Sequence, residues 1–252
     1  MDRNSIDGLA ANAAERHKTY LLGIIGATSI ALDSPMFEKR LDQRGLTLAL
    51  TTLAASRYRV EKKMLLEQSI TLATAAYNQA LLDVGVTGFA RISTPELIDH
   101  VAGMSVIAGE HLLAQTQRDK NMAIKRLRTA ALKISITQRD RRMTRSQALI
   151  AIRRQSREGM KFDFKDRAGR RWASSTYIYS MLREHYLSVY NEVYLYTLAK
   201  HGTLVAHVTH PDPNHKHFGM KIATLIGGPD IPSYAAISRE VFHPNSRAAL
   251  TI

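Results

Sequence analysis

The chain contains no cysteine, which excludes a disulfide framework, a thiolate zinc centre, an iron–sulfur cluster and a cysteine nucleophile. It also lacks a long apolar run. The least polar early stretch, Tyr20 to Leu32, covers 13 residues and includes Thr28 and Ser29. That is too short to cross a bilayer, which takes roughly 20. The opening residues include Asp2, Arg3, Asn4 and Asp7, so they do not read as a secretory signal. Aromatic residues make up only 7% of the chain, with a single tryptophan. Gly23-Ile24-Ile25-Gly26 lacks the lysine of a phosphate-binding loop, and neither a G-x-S-x-G nucleophile elbow nor an H-E-x-x-H helix occurs. Asp163 with Asp166, or Asp212 with Asp230, could be paired as carboxylates, but nothing around them supplies the neighbours that acid–base work requires. What remains is ordinary globular material: 252 residues, 45% hydrophobic and 23% charged, enough for one domain or two small ones.

The charge is unevenly placed. Met1 to Gln117 holds 11 basic and 12 acidic residues, and Trp172 to Ile252 holds 6 and 5. The 54 residues from Arg118 to Arg171 hold 18 basic and 5 acidic, which equals the whole chain's excess of +13. A block of this kind builds a local positive field. It is arginine-rich, with 13 Arg to 5 Lys, which favours geometric pairing with phosphates or carboxylates. Lys125, Arg126, Arg128, Arg139, Arg141, Arg142, Arg145, Arg153, Arg154 and Arg157 are the candidate contacts for double-stranded DNA, bound without sequence preference, or for an acidic protein. A solvated helix face is the plain alternative. No membrane partner is expected.

The fold class expected is α+β, predominantly α: an extended helical region over residues 1–159 and a small α+β domain over 160–252. Ser34-Pro35 followed by Glu38 has the pattern of a helix start. From Leu46 to about Asp83 there is no Pro or Gly, and Leu46, Leu50, Leu53, Val60 and Met64 share one face. A loop from Val84 to Ile92 follows; Thr94-Pro95-Glu96 then opens a short helix that Gly103 is expected to end. The next helix, about Met104 to Thr137, carries Ile124, Leu127, Ala131 and Ile134 on one face, with Arg118, Lys125, Arg126, Arg128 and Lys133 opposite. Thr144 and Gln147 have capping-box spacing. Lys161 to Phe164 alternates as a strand does, and Arg170 to Trp172 is its return. Ser174 or Ser175 starts a helix that reaches Lys200, bears six tyrosines and leaves through Gly202. Residues 203–208 and 222–226 read as strands.

Six of the ten histidines fall between residues 201 and 243. His210, His215, His217 and His243 could close a metal site, which would make the protein a metal-dependent nuclease or hydrolase, although their spacing fits no standard template. Hydrogen-bonding loop histidines are the other reading.

The segment Phe162-Asp163-Phe164-Lys165-Asp166-Arg167-Ala168-Gly169-Arg170-Arg171-Trp172 resembles the "f-x-D-x-x-G-R-x-W" stretch of tailed-bacteriophage minor capsid (head-morphogenesis) proteins. In that family a tyrosine-bearing helix follows, similar to Tyr177 to Lys200 here, and then a glycine and strand, similar to Gly202, Val205, Val208, Thr209 and His210. The family's terminal "H-P-N-C-R-H" is matched by His243-Pro244-Asn245-Ser246-Arg247-Ala248. The family commonly carries cysteines in the loop before the second strand and in the terminal motif. Here the loop reads His210 to His217 and Ser246 takes the cysteine's place, so a metal-binding Cys/His set of the family would be mostly lost.

The resemblance implies a structural virion protein and no enzyme, with no cofactor. It implies several copies per particle, lying in the capsid interior near the portal vertex and in the host cytoplasm during assembly. The portal protein, the major capsid protein or both would be its partners, and packaged DNA would be within reach. A nucleoid-type DNA-binding protein without a virion role is the remaining alternative.

Overall fold

A computed structural model describes residues 3–33, 43–88, 92, 94–140, 143–158, 160–166, 168–243 and 245–252. Six helices and five short strands occur among them: α1 (Arg3–Asp33), α2 (Gln43–Asp83), α3 (Pro95–Arg139), α4 (Arg145–Glu158), β1 (Asp163–Lys165), β2 (Arg171–Ala173), α5 (Ser174–Lys200), β3 (Val205–Thr209), β4 (Lys221–Ala223), α6 (Tyr234–Val241) and β5 (Ala249–Thr251). Of the described residues 71% are helical, and the fold is α+β and predominantly α, as the sequence leads one to expect. The helix start expected at Ser34-Pro35 lies outside the described residues.

By backbone contacts the chain forms two units. One comprises Met1–Ala11, Lys62–Gly109 and Tyr179–Ile252; the other comprises Asn12–Glu61 and Glu110–Ile178. The change in sequence character at residue 160 falls inside the second of these.

In the second unit, α1, α2, α3 and α4 supply one apolar core. Tyr20, Ile24 and Leu32 of α1 meet Leu46, Leu50 and Ala54 of α2, Leu127, Ala131 and Ile134 of α3, and Ala148 and Ile152 of α4. Three- and four-residue spacing on each helix puts these side chains on a single face. The face expected on α2 is only partly right. Leu46 and Leu50 are buried, but Val60 is exposed and Glu61 takes the inward position. Glu61 is tolerated there because Arg16 (2.6 Å) and Arg57 close on its carboxylate. Helix α4 opens with the reciprocal cap expected: Gln147 N–H donates to Thr144 Oγ1 (3.3 Å) and Thr144 N–H to Gln147 Oε1 (2.8 Å). The β1–β2 hairpin pairs Asp163 with Ala173, Phe164 with Trp172 and Lys165 with Arg171.

In the first unit, β3 is the centre of an antiparallel sheet ordered β4-β3-β5. Ala206 and Val208 are fully buried and sit opposite Ile222 and Leu250. Helix α5 exits through Gly202 at φ 82°, where Thr203 N–H bonds Leu198 O and Gly202 N–H bonds Ala199 O. These are the two bonds of a Schellman cap, whose left-handed residue favours glycine. Six tyrosines lie on α5. Two of them, Tyr186 and Tyr194, are buried, and their hydroxyls donate to Gln68 and Asp83. The break expected at Gly103 does not occur, because α3 runs through it without interruption. Burial of Val101, Ser105 and Ala108 around it outweighs the roughly 1 kcal/mol that a mid-helix glycine costs. Helix α6 and strand β5 were not legible in the sequence.

Candidate functional site

The fold divides the described cations of the basic segment into those held by the chain's own acceptors and rings and those for which no such contact is seen. Arg153 of α4 is half-buried and donates twice to the Leu32 carbonyl (3.0 and 3.1 Å), in the last turn of α1 where carbonyls lack helical partners. Arg118 donates to Gln115 (2.6 Å), and its guanidinium lies 4.3 Å from the centre of the Phe164 ring. Arg170 and Arg171 pair with Asp166 (2.8 Å) and Asp163 (2.5 Å). By contrast Lys125, Arg128, Lys133 and Arg139 are exposed on α3 and form no side-chain hydrogen bond or ion pair among the described residues. Arg126 is half-buried on α3 and Arg154 is exposed on α4. Arg145 and Arg157 belong to α4 by backbone. Arg141 and Arg142 lie outside the described residues.

Beside this cationic face, Arg126, Leu127, Thr129, Ala130, Lys133, Gln155 and Met160 line a cleft of about 300 Å³ between α3 and the α4 end. It has basic walls and an apolar floor. Such a surface can bind an acidic or phosphorylated body. Among its described lining residues there is no carboxylate and no histidine.

The hairpin explains the motif residues. Asp166 Oδ2 accepts from Trp172 Nε1 (3.0 Å) and Arg170 Nε (2.8 Å), while its Oδ1 accepts the Arg170 backbone N–H (2.9 Å). The Trp172 N–H above all, and then the bonds from Arg170, hold the Asp166 carboxyl below its usual range. Gly169 makes the turn at φ 80°. Phe164 and Trp172 both meet the Tyr177 ring edge-on, at 5.3 and 6.4 Å. Asp166, Gly169, Arg170 and Trp172, the fixed letters of the D-x-x-G-R-x-W pattern, therefore each have a structural duty in this turn.

The four histidines singled out in the sequence are neighbours but do not converge. His210 and His215 stack face to face at 3.9 Å, and His215 tilts against His217 at 5.4 Å. His210 Nδ1 accepts the Asp212 backbone N–H, and His243 Nδ1 accepts that of Asn245. Burial first, then the Lys216 charge, lowers the pKa of His217, which lies 3.5 Å from Glu240. Among the described residues no group of three or more His, Asp or Glu side chains is placed to hold a metal ion. Stacked rings tied to local backbone fit the hydrogen-bonding reading of these loops.

Sequence reasoning missed the most buried polar cluster. Asp119 Oδ2 accepts from Ser174 Oγ (2.7 Å) and His17 Nε2 (2.9 Å), and Oδ1 accepts from Gln115 (3.0 Å). His17 Nε2 also reaches Ser174 Oγ (2.8 Å), so one ring nitrogen makes both contacts. A hydrolytic triad uses the two ring nitrogens separately, with the nucleophile open to substrate. Here His17 and Asp119 are fully enclosed and Ser174 is nearly so, and the cluster acts as a polar tie within the core. Its members are far apart in sequence, so only the helix faces of Gln115 and Asp119, four residues apart, offered any sign of it.

A second cleft, of about 460 Å³, lies in the other unit, where His100 Nε2 donates to Glu192 (2.7 Å) above Leu97, Leu195 and Tyr196. Among the described residues no helix is long and apolar enough to cross a membrane. Comparison of the chain with protein families, with curated proteins and with solved structures returned no match.

Proposed function

We propose that this chain is a structural virion protein of the tailed-bacteriophage minor capsid type, associating with the portal and inner capsid, with its basic segment meeting packaged DNA or an acidic partner. The observation that carries the reading is the hairpin at residues 163–173. The residues that make the resemblance, Asp166, Gly169, Arg170 and Trp172, are those whose side chains or backbone lock its turn. That these letters specify one local structure supports the reading. The terminal His243 to Arg247 segment supports it similarly. Ser246 is buried, its carbonyl accepts from Arg183 (3.4 Å), and its hydroxyl accepts the Ala248 N–H (3.0 Å), which holds Ser246 ahead of β5.

The outward cations on α3 agree with a construction role, since they gather positive charge along one helix face. The test is direct. Particles are purified from cells that make the protein, their composition is read by mass spectrometry, and the portal vertex is examined by electron microscopy. The protein is expected in intact particles, in density next to the portal. Its absence from particles, in cells where it is expressed, refutes the reading.

A further inference from the structure

On α3, Lys125, Arg128, Leu132, Ile136 and Arg139 follow one another at three- and four-residue steps. At 100° per residue they fall within an arc of about 80°. This is the face opposite the buried Leu127, Ala131 and Ile134. Leu132 is 63% exposed and Ile136 53%, and on α4 Ile150 is 62% exposed. Thr129 and Lys133, the next residues round the helix, form a wall of the 300 Å³ cleft. The surface is thus an apolar pair with cations at both ends of the stripe, continuous with an apolar-floored cleft.

We infer that this surface receives an acidic amphipathic helix of a partner protein, and that DNA is not its ligand. Protein–DNA contacts are polar and strongly cationic, and a duplex's outer surface offers phosphates, which leave leucine and isoleucine without a counterpart. Protein interfaces have the opposite plan, an apolar centre inside a charged rim. Leu132 and Ile136 supply the centre; Lys125, Arg128, Lys133 and Arg139 supply the rim. An amphipathic helix can lay its apolar face on the pair and cleft while flanking glutamates and aspartates meet the cations. The inference rests on the proposed assembly role only in taking the basic segment as a contact surface.

The test uses the full chain with two fluorescent probes at physiological salt. One is a helical peptide of roughly 20 residues, with a leucine stripe flanked by glutamates; the other is a DNA duplex of similar length. The double variant Leu132→Ser with Ile136→Ser alters only exposed positions, and its circular dichroism should match the parent. It is expected to weaken peptide binding about tenfold or more, with duplex binding unchanged. Lys125→Gln with Arg128→Gln should weaken peptide binding and reduce its dependence on salt.

Three results overturn the inference: peptide binding that ignores the serine variant, duplex binding that the serine variant abolishes, or a self-associating parent that the serine variant renders monomeric. The last would identify a second copy as the occupant. Absence of the protein from virus particles would refute the assembly role and leave these binding results standing, so the two failures are distinguishable.

Discussion

Acid should destabilise this protein through one buried ring. His185 on α5 is buried, and its Nε2 lies 2.9 Å from Ser69 Oγ, whose own proton goes to the Leu65 carbonyl (2.7 Å). The serine oxygen therefore accepts from His185 Nε2–H, which fixes the neutral ring in that tautomer. Burial pushes the His185 pKa down from 6.5 to about 4. As pH falls below 6.5 the unfolded chain takes up a proton that the folded ring refuses. The stabilisation from the neutral ring is thus complete above that value and is lost between 6.5 and 4. From these two values the loss between pH 7 and pH 5 is about 2 kcal/mol. Urea unfolding of the parent and of His185→Gln at both pH values isolates the effect, because the other titrating groups are common to the two proteins. Glutamine keeps a donor for Ser69 and cannot titrate. The parent should lose about 2 kcal/mol more than the variant on going to pH 5. Equal losses in the two proteins would show that the ring is not held neutral by burial.

Three other perturbations have definite signs. Gly103→Ala should raise the thermal midpoint, gaining about 0.5–1 kcal/mol, since a Cβ there meets nothing within 4 Å; a lower midpoint would mean the glycine serves a contact that α3 does not reveal. Glu61→Ala leaves the half-buried Arg57 uncompensated and should cost about 3–5 kcal/mol in denaturant unfolding, where Lys62→Ala at an exposed neighbour costs little. Asp166→Ala should alter the emission of the single tryptophan, Trp172, with helix content unchanged. Because the Asp166 carboxyl titrates below its usual range, its hold on Trp172 is complete at neutral pH and is lost on acidification only as pH falls through that lowered value. The variant's emission should show no such step, and a step of equal size in both proteins would detach Trp172 from Asp166.

Local rules reached far into this fold where a few adjacent residues decide the outcome. The Thr144–Gln147 cap, the Gly202 exit and the hairpin turn at Gly169 each depend on groups within a handful of positions, so their signals survive in the sequence. The failures share a different cause. Gly103 breaks helices by local propensity, but packing of its neighbours overrides a cost of roughly 1 kcal/mol. Glu61 is unreadable as a buried residue until Arg16, 45 positions away, is brought to it. The Asp119 cluster joins positions 17, 115, 119 and 174, and no window short enough to show periodicity contains all four. Strand β5 has only three residues and is recognisable by its pairing with β3, not by any alternation of its own.

Charge counting has a related weakness, and it bears on what the basic segment is for. A net of +13 weighs Arg170 and Lys125 alike, although Arg170 is neutralised by Asp166 and Lys125 has no such partner among the described residues. Arg153 spends its donors on a helix terminus, where a cation is useful whether or not anything binds outside. The field available to a partner is therefore weaker than the composition suggests, and among the described residues the outer face of α3 gathers Lys125, Arg128, Lys133 and Arg139. On that face the sequence does hold a signal that composition hides. The helix carries two apolar stripes, and its buried one includes Ala123, Leu127, Ala130, Ala131 and Ile134. Leu132 and Ile136 recur four apart among the cations, where a helix evolved only to be solvated would carry polar residues. An apolar pair kept on a charged surface costs solubility in the free chain, so its presence points to a bound state in which that pair is covered.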